Sequence, residues 1–180
     1  MGDMTPFAML EELAERSEAG RQALPTATAA QTLWAGLGFT LLGQRFVAPM
    51  EEVAEVMRIP QLTRLPGVKP FVYGVSNVRG RLMAVLDLAM FVGRASEFSR
   101  ANRRVLAIES DETFIGFIID ESLGMQHFPS DTYEDAVQEV DESFRDYVRG
   151  GYRLAGSYWP ILSLTALSEH KDLQKLAASS

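Results

Sequence analysis

The chain contains no cysteine and only two histidines among its 180 residues. The absence of cysteine excludes disulfide bonds, thiolate nucleophiles and thiolate metal ligands. His127 and His170 are far apart in the sequence and have no carboxylates at metal-ligand spacing, so no metal site and no nucleophilic centre is predicted. The sequence also lacks a P-loop and a G-x-G-x-x-G motif, and it therefore predicts no cofactor.

Long apolar runs and positive charge are also scarce. No apolar run approaches the length of a membrane span, and the N-terminus has neither the basic region nor the hydrophobic region of a signal peptide. We therefore expect a cytoplasmic protein that does not insert directly into a membrane. The formal net charge of −7 repels a phosphate backbone, and the one basic cluster, Arg100, Arg103 and Arg104, is small. Nucleic acid is not an expected partner.

The pattern that is present is one of many short strands. Hydrophobic residues make up 47% of the chain, enough for a real core, and turn residues recur every eight to twelve positions. Leu37, Phe39 and Leu41 alternate with small or polar residues, and Gly43-Gln44 has the form of a two-residue hairpin turn. The polar connector over 94–102 divides the strands into two sets. The sequence predicts a mainly β fold with two small antiparallel barrels.

Two helices are expected outside these barrels. Residues 5 to about 20 have apolar side chains at helical spacing, and this helix either folds back on the domain or serves as a docking arm for a partner. Ser163 is placed to cap a C-terminal helix over about 163–176. The predicted organisation is an N-terminal helix and linker over 1–34 and a main domain over 35–180.

The centre of the chain carries an arginine between two apolar strands. Residues 75–78 and 82–86 read as strands, and Arg79-Gly80-Arg81 separates them at a glycine that lets the backbone turn sharply. Asp87 to Val92 reads as one helical turn that Gly93 ends. Arg79 is either a solvated loop charge or a recognition arginine held at a strand end, and periodicity does not choose between the two.

Two groups of carboxylates need an interpretation. Asp87 and Asp120 both end apolar strands, where they either form an acid–base pair of a hydrolase or cap the following turns by hydrogen bonds. The stretch over 131–146 holds seven acidic residues and one arginine, which is typical of a solvated loop or face.

Four segments give the chain a family resemblance. They are FTLLGQRFVAPMEEVAEVM, GVSNVRGRLMAVLDL, RVLAIESDETFIGFIIDESLGM and YWPILSL, which together span roughly residues 37 to 170. The motif G-V-x-N-x-R-G, followed by an apolar run and Asp-Leu, resembles that of the CheW-type coupling proteins of bacterial chemosensory arrays. The TPF-x-x-L and GMQHFP segments are most similar to the adaptors of systems that control type IV pili and twitching motility.

The resemblance implies two packed five-stranded barrels, over about 35–93 and 103–162, and no catalysis. It implies an adaptor that links the tip of a methyl-accepting chemoreceptor to the regulatory domain of a CheA-type histidine kinase. Its receptor-binding residues fall on the set Val53, Glu55, Asn77, Arg79 and Gly80. We expect Asn77 and Gly80 to shape the turn at Arg79, and Glu55 to orient Arg79 through a charge-assisted hydrogen bond.

Three other hypotheses compete with the adaptor function. The first is a small-barrel binding module for oligosaccharide or single-stranded nucleic acid, against which the acidic balance and the lack of an aromatic-basic stripe count. The second is the hydrolase that would use Asp87 and Asp120. The third is a regulatory fragment of a larger kinase, and the helices expected at both ends favour a separate protein.

Overall fold

A computed structural model describes residues 32–137 and 139–173 of the chain. The described residues are mainly in strands, with two short α-helices and three 3-10 turns. The strands are β1 (Leu33–Leu41), β2 (Gln44–Pro49), β3 (Glu55–Arg58), β4 (Val72–Val78), β5 (Arg81–Asp87), β6 (Arg104–Glu109), β7 (Phe114–Ile119), β8 (Glu121–Pro129), β9 (Tyr133–Glu134), β10 (Val148–Leu154) and β11 (Ser157–Leu162). The helices are α1 (Leu88–Phe91) and α2 (Leu164–Ser168), and the 3-10 turns cover Met50–Glu52, Ser130–Thr132 and Glu142–Tyr147.

The strands form two sheets. One has six strands in the order β8-β1-β2-β11-β10-β9, and the other has five in the order β3-β6-β7-β5-β4. The mainly β prediction is confirmed, but the prediction of five strands in each unit is wrong for the first sheet. The prediction of purely antiparallel pairing is also wrong, because β2 and β11 pair in parallel and so do β5 and β7.

Each sheet takes strands from both sides of the 94–102 connector. Strands β6 and β7 join the sheet of β3, β4 and β5, while β1 and β2 join the sheet of β8 to β11. The hydrogen-bonded sheets therefore do not follow the predicted division into 35–93 and 103–162. The physical reason is that β5 and β7 pair in parallel, which requires a crossover connection, and β6 lies within that crossover.

An isolated bridge joins the segment after edge strand β3 to the opposite edge strand, β4. The segment that follows β3 reaches β4, where the Thr63 amide donates to the Val75 carbonyl at 2.8 Å and the Val75 amide donates to the Thr63 carbonyl at 2.9 Å. Gly74 permits this approach, since a Cβ atom there would lie 2.5 Å from the Thr63 oxygen. The bridge holds β3 near the β4–β5 hairpin.

The core has three layers. The central layer lies between the sheets and contains Phe39, Phe46, Phe117 and Phe144, all with almost no exposed surface. A second apolar cluster covers the opposite face of the five-stranded sheet, and a third covers the opposite face of the six-stranded sheet. Strands covered on both faces need continuous apolar sequence, and every residue of β7 is buried.

The hairpin turns follow the rule that two-residue loops need positive φ. The β1–β2 hairpin is where the sequence predicts it, but its central residues are Leu42 (φ 52°) and Gly43 (φ 79°), not Gly43 and Gln44. Leu42 tolerates this conformation because its amide donates to the buried Asp120 Oδ2 at 2.8 Å. This tertiary hydrogen bond has no local sequence signal.

The helices only partly match the prediction. Ser163 caps α2 by accepting from the Ala166 amide, as expected, and Asp87 caps α1, which is followed by Gly93 at φ 76°. The continuous helix over 163–176 is wrong, since α2 ends at Ser168 and helical backbone resumes only at Lys171. The helix expected over residues 5 to 20 lies outside the described residues.

The acidic stretch over 131–146 is more than a solvated loop. Its side chains Val140 and Phe144 are buried in the central core, and the Phe144 ring packs edge-on against Phe46 at 5.4 Å. Its carboxylate at Asp141 accepts from the Ser143 amide and forms an ion pair with Arg94 at 2.8 Å. The charges face outward while two apolar residues anchor the segment.

Candidate functional site

The turn between β4 and β5 presents Arg79 in a rare backbone conformation. Arg79 has φ 53° and Gly80 has φ 81°, which is the combination that a type I′ turn requires. A side chain in this left-handed region costs roughly 1–2 kcal/mol relative to the right-handed one. The Asn77 Oδ1 accepts from the Gly80 amide at 3.0 Å and closes the turn. Asn77 and Gly80 therefore shape this turn as the sequence predicts.

Glu55, on edge strand β3, holds the Arg79 side chain. The Arg79 Nη2 donates to the Glu55 Oε2, so the predicted charge-assisted contact is present. The Arg79 side chain is 67% exposed and that of Glu55 38%. An ion pair so open to water adds little to folding stability. Its effect is to fix the direction of a guanidinium that still has free donors.

A second arginine clamp stands beside the first. Arg81 donates through Nη1 to Glu109 and through Nη2 to the Ser110 carbonyl at 3.1 Å, and its guanidinium lies over the Phe114 ring at 5.3 Å. This clamp is not among the sites that the sequence predicts. The local signal is that the charged Arg81 alternates with the apolar Leu82 after the turn. The sequence does not show that Glu109, on strand β6, becomes the partner of Arg81.

The strands that carry these charges also expose apolar side chains. Leu82 is 53% exposed and Val56, the residue after Glu55, is 37% exposed. Val53, which the resemblance places in the site, is half-buried against the central core, and its amide donates to the Met50 carbonyl at 3.3 Å. The described site thus combines oriented cations with exposed aliphatic side chains, which suits a protein partner and offers no reacting group.

Asp87 and Asp120 do not form an acid–base pair. Arg103 lies between them, donating to the two Asp87 oxygens at 2.6 and 2.9 Å and approaching the Asp120 Oδ1 at 3.5 Å. Asp87 also caps α1 through the Ala89 amide, and Asp120 accepts from the Leu42 amide. All three side chains are at most 5% exposed. The hydrolase hypothesis is therefore wrong, because both carboxylates are buried and already accept hydrogen bonds from other residues of the protein.

The charges of the Asp87–Arg103–Asp120 group agree with a structural role. Burial lowers the pKa of Arg103, but the hydrogen bond and charge of Asp87 and the charge of Asp120 outweigh burial, so the pKa of Arg103 lies above its ordinary value. The guanidinium stays protonated at any pH at which the protein folds. This network of Asp87, Arg103 and Asp120 links the end of β5, the start of β6 and the end of β7.

An acidic cleft lies on the same end of the five-stranded sheet as Glu109. It has a volume of about 470 Å³ and is lined by Glu51, Glu52, Ile108, Glu109, Ser110, Thr113, Thr165, Ser168 and Glu169. Glu52 is not free, because it accepts from the Ser163 hydroxyl at 2.9 Å and from the Leu164 amide at 2.8 Å. Across residues 32–137 and 139–173 no group of histidine or acidic side chains is arranged to hold a metal ion.

The fold and this site define a class of protein. The family model of the CheW-like domain matches residues 35–172, and the chain belongs to that family. Members of the family are non-catalytic adaptors that act as scaffolds in chemosensory signalling, so the chain is not an enzyme. This confirms the resemblance drawn from the G-V-x-N-x-R-G motif.

Individual proteins of known sequence or structure are similar to this chain. The chain is 39% identical over 173 residues to the protein PilI of Pseudomonas aeruginosa, covering 96% of this chain and 97% of PilI. It is 24% identical to the chemotaxis protein CheW of Klebsiella aerogenes over 145 residues, which cover 78% of this chain and 80% of that CheW. The scaffolding protein TtCheW from Thermoanaerobacter tengcongensis has the same fold, with a TM-score of 0.68 at 20% identity over 78% of this chain and 96% of TtCheW.

The described helices are too short for a transmembrane role. No helix within residues 32–137 and 139–173 is long and apolar enough to cross a membrane.

Proposed function

We propose that this protein couples the signalling tip of a methyl-accepting chemoreceptor to the regulatory domain of a CheA-type histidine kinase. It does so in the cytoplasm, within a chemosensory system that controls type IV pili and twitching motility. The pilus assignment is supported by the similarity to PilI over nearly the whole of both chains. The adaptor role is supported by membership of the CheW-like family.

The receptor contact is the Arg79 turn. A receptor tip is helical, and a helix is recognised by a surface that offers aliphatic contacts and a charge in a fixed position. The observation that carries this proposal is the clamp at Glu55, which directs Arg79 outward from a turn that Asn77 and Gly80 close. The exposed Leu82, which pairs with Asn77 across the hairpin, supplies an apolar contact beside it, and we propose Val53 as a further one. The affinity of one such contact can be low, because an array repeats it many times.

The test is a binding measurement with both partners. The purified protein is titrated with a receptor-tip fragment and, separately, with a kinase regulatory domain, as wild type and as Arg79→Ala. We expect this change to weaken receptor binding by about tenfold, the value of one charge-assisted contact, and to leave kinase binding unchanged.

Arg153→Ala is the matched control, since Arg153 also forms a partly exposed ion pair, with Glu134 at 3.2 Å, but on the six-stranded sheet. It should bind the receptor like wild type. If the wild-type protein binds neither partner, the adaptor proposal fails. If it binds both and Arg79→Ala binds the receptor as tightly as wild type, the adaptor stands and the site assignment fails.

A further inference from the structure

Three arginines cluster near the C-terminal end of β3 without an acidic counterpart. Arg58 of β3 and Arg104 of β6 are directly opposite each other in the antiparallel register. Opposed side chains in such a pair lie about 5 Å apart at Cβ on one face of the sheet, and like charges there repel. Arg100 joins them from the connector, because its Nη2 donates at 2.7 Å to the carbonyl of Pro60, two residues beyond Arg58.

The polar contacts of this cluster go only to backbone carbonyls. Arg104 Nη1 donates to the Ala101 oxygen at 3.0 Å and to the Arg103 oxygen at 2.9 Å. Within residues 32–137 and 139–173, the Arg58 side chain makes no hydrogen bond or ion pair, and no carboxylate forms an ion pair with any of the three arginines. Elsewhere in the same part of the chain, acidic partners hold other arginines, namely Arg79, Arg81, Arg94, Arg103 and Arg153.

Two arginines directly opposite each other are unexpected on a chain of this charge. Acidic residues outnumber basic ones by 24 to 17, so ion-pair partners are abundant. A charged residue on an edge strand often serves to block pairing with another strand, and this explains Arg58 on its own. It does not explain Arg104, which lies on the neighbouring inner strand and faces the same side of the sheet.

We propose that Arg58, Arg100 and Arg104 form a docking site for an acidic segment of a partner protein. Each guanidinium presents paired N–H donors that match a carboxylate, and carboxylates placed between Arg58 and Arg104 remove the repulsion between them. Charge complementarity selects the occupant: the surface is locally cationic on a chain of net charge −7.

The site is separate from the Arg79 turn, and the inference does not depend on the proposed function. Glu55, which holds Arg79, and Arg58 are at opposite ends of β3, about 10 Å apart along the strand. They also face opposite sides of the sheet, since side chains alternate along a strand.

The test uses the full chain and a labelled polyglutamate peptide, with binding followed by fluorescence anisotropy at low salt. The variants are Arg58→Glu and Arg104→Glu. The matched control is Arg149→Glu, because Arg149 is an exposed arginine in β10 and the variant has the same net charge. We expect the cluster variants to lose at least about tenfold in affinity and the control to stay within about twofold of wild type.

Folding is checked by urea denaturation of each variant. Arg58→Glu places a carboxylate opposite Arg104, so its unfolding midpoint should be unchanged or raised. The neutral change Arg58→Gln provides a second variant, which matches the Glu variant in side-chain length but carries no charge, and its peptide affinity should lie between those of wild type and Arg58→Glu.

Three results would overturn the proposal. They are no peptide binding by the wild type, an equal loss of affinity in Arg149→Glu, and tighter binding of a single-stranded oligonucleotide of equal charge than of the peptide.

Discussion

Two arginines of this protein meet acidic partners in opposite environments. Arg103 is buried between Asp87 and Asp120, and Arg79 extends into solvent beside Glu55. The buried group fixes the ends of three strands, and removing its cation would leave two unpaired charges in a dry interior. The exposed pair contributes little to stability but aims a guanidinium outward. The same ion-pair chemistry thus supports the fold at Arg103 and, in the function proposed above, receptor recognition at Arg79, and the two pairs differ in their burial.

The largest expected effect is the loss of Arg103. Arg103→Ala should lower the free energy of unfolding by about 3–5 kcal/mol, because Asp87 and Asp120 stay buried without their counter-charge. Urea denaturation followed by circular dichroism measures this change. A loss below about 1 kcal/mol would show that the network is not the structural tie described above.

A smaller effect of opposite sign is expected at Arg79. Arg79→Gly should raise the free energy of unfolding by about 1 kcal/mol, since glycine adopts φ 53° without steric cost. The same variant should lose receptor binding. Parallel denaturation and binding titrations separate the two effects. A destabilised variant would contradict the steric argument, and a variant that binds the receptor as tightly as wild type would contradict the proposed role of the Arg79 guanidinium.

Glu55→Gln should scarcely change stability. The Arg79–Glu55 pair is open to solvent, so we expect a change in unfolding free energy within about 0.5 kcal/mol. Receptor affinity should nevertheless fall, because the uncharged amide holds the guanidinium less firmly. Isothermal titration calorimetry with the receptor tip measures the affinity. Destabilisation by more than about 2 kcal/mol would place Glu55 with the structural group instead.

The last effect concerns Asp141 in the acidic stretch and depends on pH. The Ser143 amide, which donates to the carboxylate, lowers the pKa of Asp141, and the charge of Arg94 lowers it further. Since the folded-state pKa is depressed, the stabilisation is present above about pH 4 and is lost as the pH falls through the folded-state pKa. Asp141→Ala should cost about 0.5–1 kcal/mol at pH 7 and less in acid. A loss of equal size at pH 7 and pH 2 would contradict this account.

Local features of the fold were predictable from the sequence. The alternation at Leu37, Phe39 and Leu41, the turn at Arg79-Gly80 and the helical turn capped by Asp87 all have their signal within a few residues. The sheet order had no such signal, because the pairing of β5 with β7 and of β2 with β11 depends on contacts between distant parts of the chain.

The residues of the candidate site were predictable, but their full geometry was not. The motif led to Asn77, Arg79 and Gly80, the family resemblance led to Glu55, and the structure brings these four together. Neighbouring arginines of the same type could not be told apart: Arg103 turns inward to Asp87 and Asp120, while Arg104 stays at the surface. The packing of β6 against β7 and α1 decides which of the two arginines turns inward. The role of the whole set in receptor binding, including Val53, remains a prediction.

The measurement that tests the central claim most directly is a double-mutant cycle on receptor binding. The affinities of wild type, Arg79→Ala, Glu55→Ala and the double variant for the receptor tip are compared. If Glu55 acts by orienting Arg79, Glu55→Ala should weaken binding in the wild-type background and have no further effect once Arg79 is absent. Equal effects of Glu55→Ala in both backgrounds would contradict the account, because the two residues would then act independently.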